Sequence, residues 1–100
     1  MDTRNLKKAF GENNFQWYEI QIPLSLNYNE KEKITNDVVQ ISDNRKHSKV
    51  IVADINFYVQ DSYRLFICTD DKELIFDIRS KYFLQTIKEP IEYQILFIRT

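Results

Sequence analysis

One hundred residues, 43% apolar, 14% aromatic and 29% charged, suit one globular domain with a modest core. Fourteen basic against 15 acidic side chains give a net charge of −1, without the basic excess that supplies most nucleic-acid affinity, and no apolar run approaches the roughly 18 residues of a membrane span. A single glycine, Gly11, leaves no Gly-rich phosphate cradle, and one cysteine with one histidine cannot assemble a zinc site of the usual kind.

Leu6 and Phe10 stand four residues apart ahead of Gly11, a spacing that allows a short N-terminal helix closed by a left-handed residue. From Phe15 to Leu26 the period is two: Tyr18, Ile20, Ile22, Leu24 and Leu26 share one face, and Trp17, Glu19, Gln21, Pro23 and Ser25 the other. This predicts a strand, placed at an edge or bulged because Pro23 has no N–H to donate. Asn29 then reads as an N-cap, Glu30 and Glu32 as an acidic first turn, and Ile34, Val38 and Ile41 as the stripe of a helix of about three turns. Ser42 to Ser48 follows as a polar loop.

Three strands are predicted next, Lys49–Gln60, Ser62–Thr69 and Glu73–Arg79, joined at Asp61 and at Asp70-Asp71 into an antiparallel meander. Side-chain parity matches Phe57 with Leu65 and Leu65 with Phe76. Ser80 caps a brief helix carrying Phe83, Leu84 and Ile87 and stopped by Pro90. Glu92–Arg99 closes the chain as a strand apolar on both faces, expected inside the sheet or under a cover. The expected fold class is α+β, with residues 1–100 in one domain. It has a single antiparallel-rich sheet of about five strands, in the order strand-helix-strand-strand-strand-helix-strand, with helices on one face.

The same register leaves a second sheet face turned away from the helices. It aligns Tyr58, Arg64 and Asp77 in one row, with Phe66 in the next and Asp54, Cys68 and Glu73 beyond, beside Trp17 and Glu19 on the first strand. Aromatic side chains next to arginine are typical of interface centres. Chemistry is poorly supplied. Asp70-Asp71-Lys72 has the acid-and-lysine pattern of a metal-dependent nuclease but fits a tight turn better, and neither Cys68 nor His47 has a neighbour that would activate a thiolate. No enzyme activity, cofactor or metal is expected. The lone Cys68 excludes an internal disulfide and no apolar signal-peptide core follows the N-terminus, so the expected location is the cytoplasm.

By exclusion, the expected function is that of a small protein-binding module of microbial or phage type. It would be an inhibitor or an immunity or antitoxin protein that blocks a toxin, nuclease or defence protein. Trp17, Glu19, Asp54, Tyr58, Arg64, Phe66, Glu73 and Asp77 are the expected contacts, the carboxylates complementing a basic partner. The alternative is an RNA- or DNA-binding regulator with Arg45, Lys46 and Lys49 on phosphates and an open sheet face stacking bases. The strand-helix-strand-strand-helix-strand order of RNA-recognition domains lies close to this chain with one strand added, yet their Lys/Arg-Gly-aromatic signature is missing from Tyr63-Arg64-Leu65-Phe66-Ile67. A homodimer through Leu96 and Ile98 of the final strand is a third expectation.

Overall fold

The computed structural model describes residues 15–100, so the short helix expected around Leu6 and Phe10 lies outside the described residues. In chain order come β1 (Gln16–Ile20), α1 (Tyr28–Asn44), β2 (Val50–Ile55), a 3₁₀ turn (Gln60–Ser62), β3 (Arg64–Thr69), α2 (Lys72–Arg79), β4 (Leu84–Ile87) and β5 (Gln94–Arg99). The strands form one sheet in the order β4-β1-β3-β2-β5, every neighbouring pair antiparallel. β1-α1-β2 and β3-α2-β4 each step over one inserted strand, a split β-α-β arrangement with β5 added beside β2. The α+β class, the five-stranded antiparallel sheet and the helices on one face are as expected.

Val38 of α1 and Leu74, Ile75 and Ile78 of α2 pack on Ile20, Val50, Val52, Leu65 and Ile67, which form the helix-facing side of the sheet. In α1 the buried stripe is Lys31, Thr35, Val38 and Ser42, and Ile34 and Ile41 flank it half-buried. Two polar residues fit that stripe because their hydroxyls bond back to the helix, Thr35 to the Lys31 carbonyl and Ser42 to the Val38 carbonyl, both at 2.8 Å. Asn27, not Asn29, is the N-cap: its side chain accepts from the Glu30 N–H at 2.9 Å. The helix runs on to Asn44, into the segment read as loop.

Two expected elements change type. Residues 73–79 are helical within α2, because Asp71 accepts from the N–H groups of Glu73 and Leu74, and Leu74 and Ile78 meet the core at helical spacing. Asp77 and Phe76 therefore stand exposed on a helix and not in a sheet row. Phe83 to Ile87, read as helical, supplies the edge strand β4, with Leu84 opposite Ile20 and Ile87 opposite Trp17. β1 is accordingly an interior strand, and Pro23 falls beyond it, in a turn closed by the Leu26 N–H on the Pro23 carbonyl. β5, expected inside the sheet or under a cover, is the opposite edge.

The parity of β2 is also inverted. Val50 and Val52 face the helices, and Ile51 and Ala53 join Trp17, Phe66 and Cys68 on the other face. Four consecutive apolar residues, Val50-Ile51-Val52-Ala53, satisfy either register, so alternation alone does not choose. The strand ends where Asn56 adopts a left-handed backbone, φ 60°, a conformation that asparagine tolerates better than most side chains.

The second face is covered by the chain itself. β4 and β5 lie at opposite edges, four strand spacings or about 19 Å apart, and Gln94, level with Ile20, stands three residues or about 10 Å along the strands from Ile87, level with Trp17, so the diagonal is about 22 Å. The connection between Ile87 and Gln94 holds six residues and reaches about 25 Å when extended. It therefore crosses the sheet as a nearly taut strap. Tyr93 in the strap sets its ring 5.0 Å from that of Trp17 and its hydroxyl donates to Glu89 at 3.2 Å. Trp17, Ile51, Phe66 and Cys68 are buried although no described helix packs on this side.

Candidate functional site

The sheet face expected to carry bare aromatic rings does not. Phe66 is 0% exposed, lying under the guanidinium of Arg64 at 5.0 Å, and Trp17 is buried against Tyr93. Arg64 is held in a fork by Glu19, with Nε at 3.1 Å and Nη2 at 2.6 Å from the two carboxylate oxygens. Such bidentate geometry fixes the guanidinium as a lid over Phe66. A groove of about 590 Å³ remains where the strap passes Ile55 and Arg64.

Phe76 and Phe83 are exposed singly on α2 and just before β4, and a cluster of exposed rings lies beyond the end of β2. Tyr58 is 85% exposed, its ring stacked on that of Tyr28 at 6.1 Å and 25°, with Val59 exposed beside it. Beneath them Phe57 meets Tyr28, Tyr58 and Tyr63 edge-on at 4.9, 5.4 and 5.3 Å. The support under this platform is polar as well as apolar. Lys31, 3% exposed, donates from Nζ to the Phe57 carbonyl at 2.7 Å and lies 5.4 Å from the centres of both the Phe57 and Tyr63 rings. Thr35 spends its only hydroxyl proton on the Lys31 carbonyl, so the Tyr63 hydroxyl donates to Thr35. Burial pushes the Tyr63 hydroxyl up to about 12, which keeps it a donor at any physiological pH.

This arrangement has a physical meaning. A buried ammonium carries a large desolvation penalty, offset here by a charged hydrogen bond and two ring faces. A left-handed Asn56 adds backbone strain in the same segment. The Lys31 contacts tie Phe57 and Tyr63 to the helix while Tyr58 between them stays in water. Glu30 and Glu32 on α1 and Asp61 in the 3₁₀ turn are exposed on the segments that carry the two rings. Sequence reading finds Tyr58 but not Tyr28, Val59 or Lys31, since nothing local joins the start of a helix to a loop 30 residues later.

The remaining predicted contacts scatter. Asp54 is buried on the helix-facing side, where burial pushes its carboxyl above the ordinary range. Glu73 lies at the start of α2, bound by Arg45 at 3.0 Å, and Asp77 is exposed on that helix. Of the basic trio, Arg45 is committed to Asp71 and Glu73, Lys46 lies 3.6 Å from Asp43, and Lys49 is exposed just before β2. Arg45 is thus a strut between the helices, and neither Phe66 nor Trp17 presents a free ring for a base.

Cys68 is buried on β3 and burial, with Glu89 and Asp70 nearby, pushes its thiol up to about 12, so little thiolate forms at neutral pH. Asp71, the acid before Lys72, is occupied as a helix cap and by Arg45 and Ser48. Among the described residues no three His, Cys, Asp or Glu side chains converge to hold a metal ion, and no helix is long and apolar enough to cross a membrane. No family model matches the chain, and comparison with curated proteins and with solved structures finds no match.

Proposed function

We propose that this chain works by binding another protein, as an inhibitor or an immunity or antitoxin-type partner, and that the Tyr28–Tyr58 platform is the centre of its contact surface. The observation that carries this reading is the pairing of a highly exposed tyrosine with an expensive, rigid base: Tyr58 outside, Lys31 and Phe57 locked beneath. Tyrosine gives large contact area at small entropy cost, and a preorganised support lowers the ordering cost of binding. The exposed carboxylates of Glu30, Glu32 and Asp61 complement a basic partner, whose lysines or arginines also suit the faces of the two rings.

The test is capture from an extract of the source cell by the immobilised wild-type chain and by Tyr58→Ala and Tyr28→Ala. A partner held by the wild type should be lost from both variants, each weakening the complex by at least about 2 kcal/mol, or roughly 30-fold. That partner's activity should fall on adding the purified chain. Retention by both folded variants would overturn the assignment, and a steep log-linear loss with salt, removed by Lys46→Ala with Lys49→Ala, would point to nucleic acid instead.

A further inference from the structure

The two edges of the sheet differ in a way that is independent of the tyrosine platform. β4 is four residues long, exposes Gln85 and Thr86, and runs into Lys88 and Pro90. Short length, polar side chains, lysine and proline are the usual means of discouraging a further strand. β5 is less protected: it has neither lysine nor proline, and its polar residues, Gln94 and Arg99, stand only at its two ends. It is six residues long, reads Gln94-Ile95-Leu96-Phe97-Ile98-Arg99, and leaves its outer backbone groups unpaired among the described strands. Leu96, at the irregularity facing Val52 and Ala53, is exposed.

We propose that β5 is a dimerisation edge, on which a second copy of this chain adds its own β5 antiparallel about a two-fold axis at Ile98. The occupant follows from self-complementarity. Phe97 and Arg99 lie opposite Val52 and Val50, on the helix-facing side, and the Arg99 guanidinium sits 5.4 Å from the centre of the Phe97 ring. An axis at Ile98 sets each Phe97 opposite the other copy's Arg99 on that same side, so each ring meets a cation twice over. Arg99 is held ready for this, since Nη1 donates to the Arg45 carbonyl at 2.9 Å and Nη2 to Asp43 Oδ1 at 2.7 Å. Every pair already in the sheet is antiparallel, so the addition continues the ladder and closes as an isologous pair.

Sedimentation equilibrium of the full chain between about 1 and 200 µM should show the mass rising from 12.1 kDa toward twice that value. Leu96→Lys places a lysine on the bare edge and should weaken association by about tenfold or more, with Gln85→Lys on β4 leaving it unchanged. Ile98→Cys, which puts two thiols across the axis, should give a covalent dimer on mild oxidation, and Thr86→Cys should not; Cys68 is buried and adds no background. Circular dichroism of each variant confirms the fold. A mass fixed at 12.1 kDa throughout the range would overturn the proposal, as would an association abolished by Gln85→Lys and untouched by Leu96→Lys. A dimer that Ile98→Cys fails to cross-link would overturn the axis.

Discussion

An ammonium buried as deeply as Lys31 needs compensation, and each of its partners belongs to the segment it restrains: the Phe57 carbonyl, the Phe57 ring and the Tyr63 ring. Its work is to fix where Tyr58 stands. Phe66 and Tyr58 should therefore respond to truncation in opposite ways. Phe66→Ala removes a fully buried ring and should cost about 3–5 kcal/mol of folding free energy, whereas Tyr58→Ala should stay within about 0.5 kcal/mol. Urea denaturation of the two variants checks this, and equal losses would place Tyr58 in the core. Composition marks both rings as interface material, and only Tyr58 is exposed. Burial depends on what crosses above a residue, and the strap and the Arg64 lid come from positions far from Phe66 in sequence, so no local pattern separates the two. Lys31 is hidden for the same reason, being indistinguishable in sequence from the exposed Lys33 two residues on.

At the scale of elements, the decisive residue is Asp71. It caps α2 through Glu73 and Leu74, takes hydrogen bonds from Ser48 and Arg45, and so ties the start of α2 to the segment after α1. Burial alone would raise its carboxyl, but the Ser48 hydroxyl, the Leu74 N–H and Arg45 outweigh it and hold the group below the ordinary value of 3.8. A depressed carboxyl contributes stability that is complete above the unfolded value and disappears as pH falls through the lower folded one. Asp71→Ala should cost about 1 kcal/mol, up to about 2, at neutral pH. Asp71→Asn, which keeps the cap acceptor but loses the charge, should differ from the wild type most at neutral pH and converge with it in acid below 3.8. A gap independent of pH would show that the charge contributes nothing. The cap was also the clue to the helix. Leu74, Phe76 and Ile78 satisfy a two-residue period, Leu74, Ile75 and Ile78 a helical one, and in so short a run periodicity does not arbitrate. Asp71 before it, Glu73 in the first turn and Arg79 in the last are helix end signals, and given that weight they identify α2. With α2 helical, the next apolar stretch has to supply the missing edge strand.

Across the whole molecule, class and strand number are legible because alternation and turn residues encode them, while strand order is not, since it rests on crossovers over both faces. α1 and α2 make two of these on one side, and the Lys88–Tyr93 strap makes the third on the other. Trp17, the single tryptophan, reports on the strap directly. Tyr93→Ala uncovers it, and its emission should shift to the red in the folded state, with the unfolding midpoint lowered; an unchanged spectrum would mean that Tyr93 does not shield it. The tether also rations width. β4 and β5 are consecutive in sequence and farthest apart in space, and the chain between them holds little slack. An additional strand could not be intercalated without a longer span, nor could residues be deleted from it without peeling one margin away. Growth of this sheet is confined to its outside.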